Sequence, residues 1–330
     1  PANPRAWLVS AGRFKAMGIA NNHSLDYGIE GLLQTIEVLE REGIAHAGGG
    51  RNIAEARKPA VIEQNGTKVA LLSFTSVFPP VGWPADEETP GVATLKIHTA
   101  YQTPDNVVYQ PGFPPIIMTI PDPIELNMLL DDIRQAKDIA DTVVLCPHWG
   151  VSWGYGRVVG YQKNIARLAI DAGVDLVMGA HPHRLLGMEM YKGKLICYSL
   201  GNFVFDGIKM PHHGLDTAIV KCHVRDKQIQ KYSLITARIN QETYQPELLG
   251  GEHALEAARS METLSQEFGT TFTAEDGEFV IGGPKPGTPE PLPVPQVYAD
   301  SLMPIPYLKG GKPFERRQSV AQVLRERMGK

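Results

Sequence analysis

The chain reads as an α/β protein with a parallel sheet at its centre, and three features of the sequence predict this. Runs such as Thr142-Val-Val-Leu-Cys146 and Leu176-Val-Met178 are short, continuous and apolar, the pattern of strands covered on both faces. Amphipathic segments with helical spacing separate them, so each strand, helix, strand passage predicts a right-handed crossover between parallel strands. The strand ends also repeat one grammar, an apolar run that closes on histidine or asparagine near glycine. It recurs at Asn21-Asn22-His23, at His148-Trp149-Gly150, at Gly179-Ala-His181-Pro-His183 and, with an amide alone, at Gly201-Asn202. A sheet gathers such ends at its carboxyl edge, where open α/β sheets bind ligands.

Composition narrows the function classes. A length of 330 residues suits one elaborated domain, and 43% hydrophobic with 21% charged residues is an ordinary soluble balance. The formal net charge of -4 gives no basic footprint, so nucleic acid is not an expected partner. No run approaches the roughly 18 apolar residues of a membrane span. The sequence opens Pro1-Ala-Asn-Pro4 without methionine or a signal peptide, and the expectation is that further sequence precedes it. Cys146, Cys197 and Cys222 are odd in number, lack CxxC spacing and lie in apparent strands. They read as buried thiols rather than disulfide or metal cysteines, and leave the compartment open.

In chain order, Trp7 to Lys15 reads as the end of a helix leading into a strand over Ala16 to Ala20. A helix follows, with Ile29, Leu32, Leu33, Ile36 and Leu39 on one face, closed by Gly43. Ile44 to Ala47 is a short strand and Gly48 to Gly50 a turn, because no Lys-Ser/Thr follows to make a phosphate loop. Ala60 to Gln64 and Val69 to Thr75 form a hairpin through Asn65-Gly66, a pair suited to positive φ. Residues 78–123 are rich in Pro and Gly and read as an insertion shaping the mouth of a site. Pro123 opens a helix to Ile139 with Ile124, Leu126, Leu129, Leu130, Ile133 and Ala136 inward. Gly160 to Ala172 is another helix, with Ile165, Leu168 and Ala169 buried.

Leu195 to Ser199 is a further strand, and Thr217 to Val224 pairs antiparallel with Ile229 to Ile239. Glu252 to Phe268 is read as a helix, and Glu315 to Met328 as a short charged one. The eight prolines from Pro284 to Pro306 predict an extended tail, so one domain covers 1–283 and a Pro-rich tail 284–330.

Two chemistries compete for the strand-end residues. Gly150-Val-Ser152-Trp-Gly154 matches a nucleophile elbow, with Asp206 and His212 or His213 available to complete a triad. An elbow needs a helix directly after its serine, and Tyr155 to Gly160 has two glycines and two β-branched valines. That reading also leaves His148, His181 and Asn22 without a role. A metal centre uses them together: neutral imidazoles and an amide oxygen suit zinc, manganese or iron in a catalytic site. His23 then stands where a leaving group needs a proton, with Asp26 to orient its ring. The plainer alternative is that His23 and Asp26 cap the following helix.

Ala20-Asn-Asn-His-Ser-Leu-Asp-Tyr-Gly28, Pro147-His-Trp-Gly150, Gly179-Ala-His-Pro-His183 and Tyr198-Ser-Leu-Gly-Asn-Phe-Val-Phe-Asp206 together resemble the CapA/PgsA-type family of poly-γ-glutamate capsule biosynthesis proteins. That family falls within the calcineurin-like metallophosphoesterase superfamily. The resemblance covers roughly the first two thirds of the chain. It implies a sandwich of two packed mixed sheets flanked by helices, with a centre for two divalent ions (Mn, Fe or Zn) at a loop edge. Asn22, His148 and His181 match ligands of one ion, His183 a ligand of the other, and His23 the histidine that assists the leaving group. Asn202 and Trp149 are expected to meet substrate. The implied partners are an anionic phosphoester or poly-γ-glutamate and the membrane proteins of capsule synthesis, with the cell envelope as the location if an anchor lies upstream. Two superfamily motifs bearing metal-bridging carboxylates should precede Asn22, yet residues 1–21 contain no Asp or Glu. The expectation is that this portion lies upstream. Ser152 stands near where an acidic residue often follows the His-Trp-Gly motif in relatives. If the centre is incomplete, the resemblance implies a polymer-binding assembly factor instead of a hydrolase.

Overall fold

A computed structural model describes residues 14–79, 81–102, 114–152, 156–205 and 214–284. They all fall in one compact unit, Pro1–Leu292; a second unit, Pro293–Lys330, lies outside the described residues. So do the Trp7 helix, the Glu315 helix, nearly all of the Pro-rich tail, and Asp206, His212 and His213.

In chain order the elements are β1 (Ala16–Gly18), α1 (Gly28–Arg41), β2 (Ala45–Ala47), β3 (Gly49–Gly50), α2 (Ile53–Arg57), β4 (Ala60–Gln64) and β5 (Thr67–Thr75). Then come β6 (Gly91–Val92), β7 (Ile97–Gln102), β8 (Ile116–Pro121), α3 (Pro123–Ile139), β9 (Thr142–His148), α4 (Gly160–Ala172) and β10 (Leu176–Met178). The rest are β11 (Met188–Tyr191), β12 (Lys194–Cys197), β13 (Asp216–Arg225), β14 (Gln228–Ile239), β15 (Pro246–Leu248), α5 (Gly251–Leu264), β16 (Thr271–Glu275) and β17 (Glu278–Gly282).

The central sheet has six strands in the order β11-β12-β10-β9-β5-β4. Its inner pairs β5-β9, β9-β10 and β10-β12 are parallel, and the edge strands β4 and β11 are antiparallel. The period of two then divides the side chains between two layers. Leu72, Phe74, Val143, Leu145, Val177 and Ile196 pack under α3 and α4 on one face. Val144, Leu176, Leu195 and Cys197 pack on the other face against Ala218, Tyr232 and Leu234 of the second sheet, with Met261 of α5. That second sheet runs β13-β14-β17-β16, with β15 also on β14. The result is a sandwich of two packed sheets flanked by helices, as the resemblance implies, except that the second sheet is antiparallel throughout rather than mixed.

Helix starts follow local chemistry. Asp122 accepts the backbone N–H groups of Ile124 and Glu125 ahead of α3, and Pro123 occupies a first-turn position where no donor is needed. Two tight turns bear positive φ at both central residues: Asn65 (51°) and Gly66 (73°) between β4 and β5, and Asp226 (51°) and Lys227 (65°) between β13 and β14.

Several expectations are corrected. The strand ahead of Asn22 is not part of the central sheet: β1 pairs in parallel with β2 alone. That pair lies on the face of β5 and β9, where a Cβ on Gly18 would stand 3.1 Å from Ser73 Cβ and 3.2 Å from Cys146 Cβ. Ile29 and Ile124 are exposed, because each stands in the first turn of its helix, beyond the layer the helix covers. The strand read as Leu195 to Ser199 ends at Cys197, and the helix read to Phe268 ends at Leu264 before a short 3-10 turn. Gly49 and Gly50 pair with β6 rather than forming only a turn, and β7 pairs with β8 inside the segment read as an insertion. Within that segment Val92 and Leu95 are fully buried.

Candidate active site

Backbone pairing brings two of the motifs together. Past the end of β9, Trp149 N–H donates to Ala180 O, and Ala180 N–H donates to Pro147 O. The His148 and His181 turns therefore lie side by side, with ring centroids 4.8 Å apart. Asn22, from the turn after β1, completes the group: its Oδ1 stands 2.7 Å from His148 Nε2, and His181 Nδ1 stands 3.1 Å from the same nitrogen. Three donor atoms thus converge from three separate segments, Asn22 and His148 alone being 126 residues apart in sequence.

The backbone of the His-Pro-His turn is strained. His181 has φ 99° and His183 φ 57°, conformations that side-chain-bearing residues rarely adopt. His183 Nδ1–H donates to Asn202 Oδ1 at 2.8 Å, and Asn202 Nδ2 donates back to His183 O. That bond places the ring proton on Nδ1, the tautomer in which Nε2 is the ligating nitrogen. The His183 ring lies 6.0 Å from that of His181 and is not part of the three-donor group.

His23 forms the third part. Its Nδ1–H donates to Asp26 Oδ2 at 2.8 Å, and its Nε2 lies 3.2 Å from Asn22 Nδ2. The turn is braced by Asn21, whose Oδ1 accepts His23 N–H, and by Ser24, whose hydroxyl donates to Ile19 O. The capping alternative does not hold: α1 has Tyr27 at its N-cap and no side-chain cap bond.

Burial fixes the charge state of the cluster. Burial first, then the neighbouring His181, His183 and His23, pushes His148 down to about 2. Burial, then His183 and His23, pushes His181 down to about 4. Both are neutral imidazoles at neutral pH, the form in which histidine ligates a metal. Nitrogen and oxygen ligands about 2.0–2.1 Å from a tetrahedral ion stand about 3.3 Å from one another. The 2.7 and 3.1 Å separations are a slightly contracted version of that spacing, so the donor set fits a divalent ion. It does so through the Asn22 amide; among the described residues, no three His, Cys, Asp or Glu side chains form such a group.

Other expected residues stand elsewhere. Trp149 is fully buried, and its indole N–H donates to Tyr198 O at 3.0 Å. It belongs to an aromatic wall behind the histidines, stacked on Tyr198, which in turn stacks on Phe268; a substrate does not reach it. Asn202 is buried too, and orients His183 rather than meeting substrate. Beyond Ser152, the described residues 156–159 are irregular and α4 begins only at Gly160, which does not match the helix an elbow requires.

The sequence reading missed the supports of this edge. Tyr161 accepts Gly150 N–H at 2.6 Å and contacts Ser76 at 3.1 Å, holding the turn after His148. Glu189, 1% exposed, receives the Tyr198 hydroxyl at 2.6 Å and Arg167 Nε–H at 3.0 Å. A Glu in Met188-Glu-Met-Tyr191 has no local signal of burial, and only tertiary packing shows that the partner on α4 lies within reach.

Comparison with known proteins agrees with the motifs. The profile of the family described as "Bacterial capsule synthesis protein PGA_cap" matches residues 4–207, a span that holds every residue of the site. Among individual relatives, the "PGA biosynthesis protein CapA" of Bacillus subtilis (strain 168) is 29% identical over 81% of this chain and 61% of its own length. The "Capsule biosynthesis protein CapA" of Bacillus anthracis is 31% identical over 72% of this chain and 51% of its own. A "Probable polyglutamine synthesis accessory protein" of Mycobacterium tuberculosis is 30% identical over 60% and 47%. The chain thus spans about half to three fifths of the relatives it matches. With more than half of its residues matched, and the histidine and asparagine turns among them, the chain belongs to the bacterial capsule synthesis protein family PGA_cap.

Proposed function

We propose that this chain is a metal-dependent hydrolase acting in capsule or poly-γ-glutamate synthesis, cleaving a phosphoester-type bond in an anionic substrate. The observation that supports it is the convergence of Asn22 Oδ1, His148 Nε2 and His181 Nδ1 beside an Asp26-oriented His23. Asn22, His148 and His181 would hold one manganese, iron or zinc ion, and His183, steadied by Asn202, would contribute to a second. Such an ion, when bound, supplies Lewis acidity toward the bond under attack. The chain's own residues do the rest. Asp26 holds the His23 Nδ1 proton, which leaves Nε2 to carry a proton to the departing oxygen and stabilises the imidazolium that donates it. The Asn22 amide, shared between the donor cluster and His23, keeps acid and cluster in one register.

Membrane-bound proteins of capsule synthesis are the expected partners, and the cell envelope the expected location. Among the described residues no helix is long and apolar enough to cross a membrane.

The absence of any carboxylate from the three-donor group favours a second reading, in which the same cleft binds polymer without cleaving it. Elemental analysis of the purified chain, paired with hydrolysis of bis(4-nitrophenyl) phosphate, separates the two. The hydrolase reading expects bound transition metal and turnover, both reduced at least tenfold in His181→Ala and His148→Ala with folding retained. Full activity in His148→Ala overturns it; polymer binding without metal in any of these proteins supports the second reading.

A further inference from the structure

We propose, resting on the hydrolytic reading, that the cleft beside His23 is the leaving-group subsite and takes an uncharged, hydroxyl-bearing group about one ring in size. The cleft has a volume of about 320 Å³. It lies between the end of β1 and the first turns of α1, with the buried side chains of Ile19 and Leu32 inside and exposed Tyr27 and Thr35 at its rim. His23 lines it as well, so this one residue borders the cleft and, through Nε2, contacts Asn22 of the donor cluster.

That shared residue sets the direction of departure. Nδ1 is held by Asp26, and Nε2 lies on the Asn22 side, 3.2 Å from its amide nitrogen. In the step itself, water forms the new P–O bond as the P–O bond to the alcohol breaks. The alcohol oxygen keeps the electron pair and takes the His23 proton, and a proton from the attacking water restores His23. The products are the alcohol and the phosphate. An oxygen that collects its proton from His23 leaves at the border of the cleft, and whatever it carries enters the cleft.

The lining selects what that can be. Among the described residues, His23 and the Tyr27 phenol are the ionisable groups that border the cleft, and no Lys or Arg joins them. A carboxylate placed there would lose hydration against Ile19 and Leu32, and protonated His23 gives up its charge as the oxygen leaves, so a leaving group that is itself a glutamyl unit is disfavoured. A neutral ring is suited, since Tyr27 offers an aromatic face at the rim. The Ser24 and Thr35 hydroxyls already donate to Ile19 O and Gly31 O, so toward a ligand they act as acceptors, which matches hydroxyl donors on it. Gly31 permits the Tyr27 position, because a Cβ there would stand 2.6 Å from Tyr27 Cβ.

The test compares kcat/KM for phenyl phosphate with that for 2-phosphoglycolate, whose leaving group bears a carboxylate. Manganese-loaded wild type, Thr35→Trp (which fills the cleft), Tyr27→Ala and the control Glu37→Trp are measured, with circular dichroism to verify folding. In parallel, saturation-transfer NMR measures phenol binding to the metal-free proteins. The wild type is expected to favour phenyl phosphate at least tenfold. Thr35→Trp and Tyr27→Ala lower that preference at least fivefold through KM, while Glu37→Trp keeps it within twofold. Hydrolysis with no preference, or with a preference that Thr35→Trp does not alter, overturns the subsite and leaves the hydrolase reading intact. If no protein hydrolyses either ester or bis(4-nitrophenyl) phosphate, the hydrolase reading fails, and the NMR decides the cleft. Phenol binding to the wild type that disappears in Thr35→Trp supports a neutral-ring site, and no phenol binding to the wild type overturns it.

Discussion

Replacing Glu189 by alanine should destabilise the fold more than any surface substitution, although Glu189 belongs to none of the site motifs. Its carboxylate is 1% exposed and is bonded on both oxygens, by Arg167 Nε–H at 3.0 Å and the Tyr198 hydroxyl at 2.6 Å. The Tyr198 hydroxyl, stripped of its acceptor while fully buried, contributes about 1–3 kcal/mol of the loss. Taking one partner from a buried ion pair raises the total to about 3–5 kcal/mol, and the vacated volume adds to it. Arg167 retains the Tyr191 ring, 5.8 Å away, which places the expectation near 4 kcal/mol, about a thousandfold in the folding equilibrium. With a urea slope of about 3 kcal/mol/M for a chain of this size, the midpoint should fall by about 1.3 M. Tryptophan fluorescence is a suitable probe because Trp149 stacks directly on Tyr198. Glu189→Gln keeps an acceptor for Tyr198 and should fall by less than half as much. A shift below about 0.3 M in Glu189→Ala would refute this account, since the network would then not anchor the aromatic wall.

Three further outcomes can be measured. Gly179→Ala puts a Cβ in overlap with Tyr198 O and 2.5 Å from Trp149 Nε1, so a loss of about 3 kcal/mol is expected in thermal unfolding, and a neutral result would exclude the close approach. In the metal-free chain, His148 and His181 titrate below their unfolded value of about 6.5, so the unfolded state binds more protons as pH falls. The stability their neutral forms contribute is complete above about pH 6.5 and erodes as pH falls toward 4; urea midpoints from pH 7.5 to 4 should show this and flatten in His148→Phe/His181→Phe. Asn202→Ala releases the His183 Nδ1–H, and metal affinity by calorimetry should drop roughly 10–100-fold, whereas an unchanged affinity would take His183 out of the ligand set.

How far the sequence carried depended on whether the signal was local. Helices α3 and α4 and the Asn65-Gly66 hairpin were legible because caps, turn residues and periodicity all agree within a few residues. The site was legible for a related reason: Asn22, His148 and His181 each mark a strand or turn end, and the parallel core brings two of those ends together. Strands β11 and β15 to β17 were missed, since they are short and contain Glu189, Glu247, Glu275 and Glu278, which mask the alternation of two. The role of Trp149 was misjudged because an aromatic beside a ligand looks the same in sequence whether it faces substrate or, as here, the Tyr198 carbonyl. The placement of β1 outside the central sheet had no local signal at all, because it is set by which face has room for Gly18 and Gly48.

The two tight turns have a practical consequence. β5 starts beside Asn65-Gly66 and ends at Thr75, level with His148, while β13 starts near Leu200 and ends at Asp226-Lys227. Both turns border one groove at the end of the sandwich remote from the histidines. That end offers a handle: an affinity tag, dye or tether attached there would hold the protein to a support with its histidine edge facing outward. Capture on a sensor chip could then follow polymer or ester binding without the attachment competing for the site.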